Sequence, residues 1–292
     1  MDFFARSQRP SRRVVARSVL IAALPGLFNT LSAAPRPDVL RTVYFSAVDG
    51  KGAPITDLTA ADLTVKEGGK ERPVTALQPA TAPMDVFLLV DDGGLGTFRS
   101  AVAQFLQTML GHGQFAISVL SPQPIKVANF TADVGALRTA LDRMGPRGRT
   151  QPDNEQIVGA VADAARELQK RRMARRSIVV LTAGGEKTSS DLADDALNAL
   201  KSSGASLSVL YVTGFDLGKV LGDGPRQSGG QIQQVNGKAP IGPPLARISD
   251  LLLHQYVLTY NIPDGVKLNE KLALSTSRKD VTLLAPSRLP DK

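Results

Sequence analysis

Four short, largely apolar runs, each separated from the next by stretches of helical periodicity, constrain this chain more than any other feature. They are Val86-Phe87-Leu88-Leu89-Val90, Phe115-Ala116-Ile117-Ser118-Val119-Leu120, Ser177-Ile178-Val179-Val180-Leu181-Thr182 and Leu207-Ser208-Val209-Leu210-Tyr211-Val212. A half-exposed strand alternates apolar and polar residues; a largely continuous run needs cover on both faces, as in a parallel sheet flanked by helices. The intervening stripes have helical spacing: Phe98, Val102, Phe105 and Met109; then Val134, Leu137, Leu141 and Met144; then Ile157, Val161, Ala165 and Leu168; then Leu192, Ala196 and Leu200. Thr131 is placed to cap the second helix and Gly204 to stop the fourth. The alternation predicts an α/β fold, a doubly wound and mostly parallel sheet with right-handed crossovers.

The two ends have a different texture. Residues 38–80 carry short strand-like segments, Val43 to Val48 and Leu63 to Lys66, punctuated by Asp49-Gly50-Lys51-Gly52 and Gly68-Gly69. Residues 255–288 return to it in Tyr256 to Tyr260, Leu272 to Ser275 and Val281 to Leu284. Neither segment has enough strands for a core of its own. The simplest solution is a small β-sandwich built from both chain ends, with the α/β domain, residues 84–254, inserted between them. Within that domain, Gly222 to Pro244 is rich in Gly, Pro, Gln and Asn and reads as an irregular surface excursion.

Residues 1–34 read as an export signal. Arg6, Arg9, Arg12, Arg13 and Arg17 precede the apolar run Val19 to Phe28, and small residues follow at Ser32-Ala33-Ala34. Ser11-Arg12-Arg13-Val14-Val15 also resembles a twin-arginine signal, with Ala16 where a larger apolar residue is usual. The run is shorter than the roughly 20 residues of a membrane span. This predicts a periplasmic or extracellular protein that meets a membrane only if the leader is retained. The leader's five arginines and one aspartate carry +4 of the +8 formal charge. A remaining +4 gives the chain no special claim on nucleic acid. The cluster Lys170-Arg171-Arg172 with Arg175-Arg176 ends a predicted helix and reads as a solvated, dipole-complementing face. The chain has no cysteine and two histidines far apart, His112 and His254, which excludes disulfides, thiolate metal sites and cysteine nucleophiles.

Ligands of open α/β sheets bind beyond the carboxyl ends of the strands. The segments there are Asp91-Asp92-Gly93-Gly94-Leu95-Gly96, Gly148-Arg149-Thr150 and Ala183-Gly184-Gly185. In order and spacing, Asp85 to Thr213 resembles a von Willebrand factor type A domain. The flanking Ala61-Asp62-Leu63-Thr64-Val65 with Glu67-Gly68-Gly69, and Gln255 to Tyr260, resemble the "VWFA-related" group common in Acidobacteria. The resemblance implies a divalent-cation adhesion site with a first loop Asp-x-Ser-x-Ser, a Thr from a second loop and an Asp from a third. Here Asp91 and Thr150 match, but Gly93 and Leu95 replace the serines and Ala183 replaces the last aspartate. Starting instead at Asp92 puts Gly94 and Gly96 in the serine positions. A hard cation prefers a full set of oxygen ligands, so no metal and no cofactor is expected.

Other chemistry is not supported. The three glycines lack dinucleotide-loop spacing, and two carboxylates beside them would repel a pyrophosphate. Ser100 and Ser177 lack the glycines of a nucleophile elbow. Ser189-Ser190-Asp191 reads as a helix start. Asp163, Asp194 and Asp195 read as solvated. The sequence therefore predicts a non-catalytic, metal-independent protein-binding or assembly module with an unknown partner in the cell envelope or outside the cell. Its partner-facing loop would comprise Asp91, Asp92, Gly93, Gly94 and Thr150. The competing readings are a membrane-tethered structural component and an enzyme with an unrecognised site.

Overall fold

The computed structural model describes residues 39–148, 155–186, 188–212, 214, 216–237 and 239–290. The leader and Thr150 lie outside these residues. Among the described residues no helix is long and apolar enough to cross a membrane.

The central sheet has six strands: β5 (Met84–Asp91), β6 (Gly113–Val119), β7 (Ile125–Thr131), β8 (Arg175–Thr182), β9 (Ser206–Val212) and β10 (Ile232–Val235). Their order is β10-β9-β8-β5-β6-β7, and every pairing is parallel except β6 with β7. All eight residues of β5 are buried. Their alternation splits the core into two. Val86, Leu88 and Val90 face one hydrophobic cluster, Phe87 and Leu89 the other. The first cluster is covered by α1 (Arg99–Met109), α2 (Val134–Asp142) and α6 (Gly242–Leu253) through Val102, Phe105, Leu137 and Ile248. The second is covered by α3 (Glu155–Arg171), α4 (Ser190–Ser203) and α5 (Gly218–Ser228) through Val161, Leu168, Ala196 and Val220. This is the covered, two-layer environment that the apolar runs demand. From β5 the chain winds outward through β6 and β7, then returns across to β8, so the strand order reverses between β5 and β8. The fold is von Willebrand type A-like, with one antiparallel edge strand.

The chain ends form two further sheets. One has the order β13-β1-β11-β4, built from β1 (Val39–Val48), β4 (Val74–Pro79), β11 (Tyr256–Ile262) and β13 (Thr282–Leu284). The other has the order β12-β2-β3, built from β2 (Leu63–Glu67), β3 (Lys70–Arg72) and β12 (Leu272–Thr276). Each mixes strands from both ends of the chain. β1 pairs antiparallel with β11 from Val39↔Ile262 to Phe45↔Tyr256, and β2 pairs with β12. Phe45, Val65, Leu258, Tyr260 and Leu272 share one apolar cluster. Within it Glu67 is buried and accepts hydrogen bonds from Arg41 (3.2 Å), the Tyr260 hydroxyl (2.7 Å) and the Asn269 N–H (2.7 Å). Burial first, and then the neighbouring Glu67, push the Tyr260 phenol well above its ordinary range, so it stays a neutral donor.

Three sequence expectations need correction. The excursion from Gly222 to Pro244 is largely regular: it holds most of α5, the edge strand β10 and the start of α6. Gly218, Gly222, Gly224 and Pro225 give α5 poor helix propensity, but burial of Val220 and Leu221 against the sheet outweighs it. Thr131 ends β7 rather than capping α2. Asp133 is the cap, accepting from Ala136 N–H at 2.7 Å, while Thr131 Oγ1 accepts from Asp133 N–H. The basic cluster is also not wholly solvated. Arg171 binds the fully buried Asp85 (2.6 Å) and stacks on Phe130, and Arg175 is itself buried. Gly204 does end α4, at φ +62°.

Candidate functional site

The crevice beyond the strand ends is built from the loops after β5, β6 and β8. Asp91 ends β5 at 2% exposure. Its Oδ1 accepts from the Ser121 hydroxyl at the end of β6 and from Gly93 N–H (3.4 Å), while its carbonyl accepts from Ala183 N–H (2.8 Å). Burial raises the Asp91 carboxyl above the usual range; the hydrogen bonds from Ser121 and Gly93 oppose that, and the Asp92 charge adds to it.

Asp92 is buried as well and points back into its own loop. Its Oδ1 accepts from Gly94 N–H (3.1 Å), and its Oδ2 from the Thr97 hydroxyl and Phe98 N–H (both 3.4 Å). Phe98 is the residue before α1 and offers no side-chain cap, so Asp92 supplies the anion and acceptor that a helix N-terminus favours.

The loop is locked against the segment after α2. Gly94 O accepts from Arg147 N–H at 2.9 Å. Gly94 has φ +77°, and a Cβ there would fall 2.3 Å from the Gly148 carbonyl oxygen. Only glycine permits both that conformation and that approach. The next residue, Leu95, is 46% exposed.

On the third side, Ala183 offers only a methyl. The nearest acid in that loop is Glu186, which is buried and fully used. It accepts from the N–H groups of Lys219 (3.2 Å), Val220 (3.0 Å) and Leu221 (2.8 Å) in the first turn of α5. Thr182 turns its hydroxyl onto Gly184. Ser121 and Glu186 went unnoticed in the sequence, because nothing local marks a serine or a glutamate whose partner lies 30 or more residues away.

Both oxygens of Asp92 are committed to the loop, Asp91 Oδ1 is shared between two donors, and Gly93, Leu95 and Ala183 offer no side-chain oxygen. A hard cation, which prefers a full set of oxygen ligands, would find few of them here among the described residues. Among the described residues no group of three or more His, Cys, Asp or Glu side chains is placed to hold a metal. The helix-face acids Asp163, Asp194 and Asp195 form exposed ion pairs with Arg166 and Lys219. His254 ends α6 and contacts Asp250.

No protein-family model and no curated protein matches the sequence. Solved structures of similar shape include a von Willebrand factor type A protein from Catenulispora acidiphila, at 12% identity over 89% of this chain and 75% of that one, with a TM-score of 0.49. Another is proximal thread matrix protein 1 from the mussel byssus, whose adhesion-site motif is occupied by zinc, at 13% identity over 64% of this chain and 49% of that one, with a TM-score of 0.46. A third is the protein BatB from Bacteroides thetaiotaomicron, at 13% identity over 58% of this chain and 97% of that one, with a TM-score of 0.44. The strand order and directions described above, not these likenesses, define the fold.

Proposed function

We propose that this chain is an exported, non-catalytic protein-binding module whose crevice face engages its partner without a bound cation. The observation that carries the reading is Leu95. An exposed leucine alone says little; this one lies on the loop after β5, where the resemblance would put a metal-ligating hydroxyl, next to Gly94, which is tied to Arg147. Pinning removes the ordering cost that a mobile loop would lose on binding. Asp91, Asp92, Gly93 and Gly94 are buried, so their part is to hold the loop, and contact falls to Leu95 and its surroundings. The leader supports export, and the committed carboxylates support independence from metal.

The test is a photo-crosslinking amino acid at position 95, compared with one at the exposed Leu192 on α4, in the chain expressed in its own envelope. A discrete adduct from position 95, absent from position 192 and unchanged by chelator, is the expected result. Loss of the adduct with chelator, or equal labelling from both positions, overturns the proposal. Calorimetric titration with Mg²⁺, Ca²⁺ and Mn²⁺ should show no affinity tighter than millimolar.

A further inference from the structure

A cavity of about 370 Å³ lies at the opposite end of the central sheet, between the start of β8 and β9, the ends of α4 and α5, strand β1 and the segment after β13. Its size falls in the range of small-molecule sites, roughly 300–1,000 Å³. Its lining is one-sided in charge. Arg41, Arg175, Arg176, Lys201 and Arg288 contribute to the wall, and among the described residues no Asp or Glu does.

Behind the wall, carboxylates meet some of these cations and leave others. Arg41 is paired with Glu67, and Lys201 and Arg288 both reach Glu270. Arg175 is 5% exposed, and its guanidinium bonds only neutral oxygens: the carbonyls of Ala80 (3.0 Å), Ala82 (2.9 Å) and Leu252, and the Gln255 side chain (3.1 Å). Arg176 Nε is buried with no hydrogen-bond partner. Burial works against the charge of both guanidiniums, with only Asp85 offsetting it at Arg176. The C-terminal ends of α4 and α5 bring roughly half a negative charge each. That still leaves the cavity positive among the described residues. A buried guanidinium donor left unmatched costs stability, and an arriving anion repays it. The rest of the wall is apolar: Leu197, Leu200, Leu289 and Pro286.

We propose that this cavity binds a small amphiphilic organic anion, its acidic head group on Arg176 and its apolar body against Leu197, Leu200 and Leu289. The fork of Arg176 suits a carboxylate, sulfonate or phosphate oxygen pair. The site faces away from the Leu95 loop, so it is independent of the proposed partner-binding face.

The test is fluorescence titration of the full-length chain with 1-anilinonaphthalene-8-sulfonate, an apolar anion, followed by competition with decanoate and with inorganic phosphate. Expected are one saturable site per chain, displacement by decanoate, and at least tenfold weaker binding in Arg176→Gln. Leu197→Trp fills the apolar side without touching a charge and should weaken binding to a similar degree, which guards against misfolding of the arginine variant. Val134→Asp, at an exposed position outside the cavity lining, should bind as the parent does. Absence of saturable binding, parental affinity in both Arg176→Gln and Leu197→Trp, or displacement by phosphate but not decanoate overturns the proposal.

Discussion

At the carboxyl end of the central sheet two aspartates are buried with their oxygens turned onto loop N–H groups and hydroxyls. At the amino end Arg175 meets only neutral oxygens, and the buried Nε of Arg176 has no hydrogen-bond partner. Both ends bury charged groups, but only the second leaves a buried charged donor without a hydrogen bond. The family resemblance directs attention to the first end, because a metal site is implied there. The hydrogen bonds lead elsewhere: the carboxylates bond their own loop and Ser121, while the unpartnered guanidinium donor sits at the other end, where β1 of the sandwich borders the sheet. A family-like motif and an available binding group need not coincide in space, since availability depends on what the rest of the fold has already satisfied.

The largest expected effect breaks the amino end. Glu67→Ala leaves Arg41 buried without its carboxylate and removes the acceptor of Tyr260 and Asn269. Breaking a buried pair from one side costs about 3–5 kcal/mol, so urea denaturation should show a loss of that order. A loss under about 1 kcal/mol would mean that water reaches Arg41 and that the cavity wall is not rigid.

A smaller effect breaks the carboxyl end. Gly94→Ala must relieve both a positive φ and a 2.3 Å approach to the Gly148 carbonyl, a strain of about 1–3 kcal/mol. The same substitution should abolish crosslinking from position 95 yet leave titration with the sulfonate probe unchanged. If both readouts fail together without unfolding, the two ends are coupled rather than independent.

The smallest effect sharpens it through pH. Burial raises the folded-state value of Asp91, so the folded chain holds that proton more tightly than the unfolded chain does. The resulting penalty is full above the raised folded value. It fades as pH falls through that value toward the ordinary carboxylate range. Asp91→Asn never carries the penalty and keeps an oxygen acceptor for Ser121. Its melting temperature should therefore equal or exceed the parent's at pH 7, with the advantage shrinking as pH is lowered toward 4. A constant deficit at every pH would show that the Ser121 and Gly93 hydrogen bonds need the charge.

The fold was legible where burial alone decides structure. The runs at Val86, Phe115, Ile178 and Leu207 are parallel strands because nothing but two-sided cover suits them, and the pairing of the chain ends followed from each being too short alone. Residues 218–235 were not legible, since glycines and a proline mask a helix whose stability comes from Val220 and Leu221 meeting a sheet formed by distant sequence. At the site, the replacement of hydroxyls by Gly93 and Leu95 could be read directly. The burial of Asp91 and Asp92 could not, and neither could the parts of Ser121 and Glu186, because a carboxylate's partners are chosen across loops.

By itself the sequence determined the sheet-and-helix alternation, the two-ended sandwich and the absence of side-chain oxygens at three expected ligand positions, all properties of residue type and spacing. Only the tertiary structure decided which charges are spent and which remain. Hydrogen-bond satisfaction is a relation between residues brought together from far apart in the chain: Arg175 with Ala80 and Leu252, Glu186 with α5, Ser121 with Asp91. No local pattern encodes it.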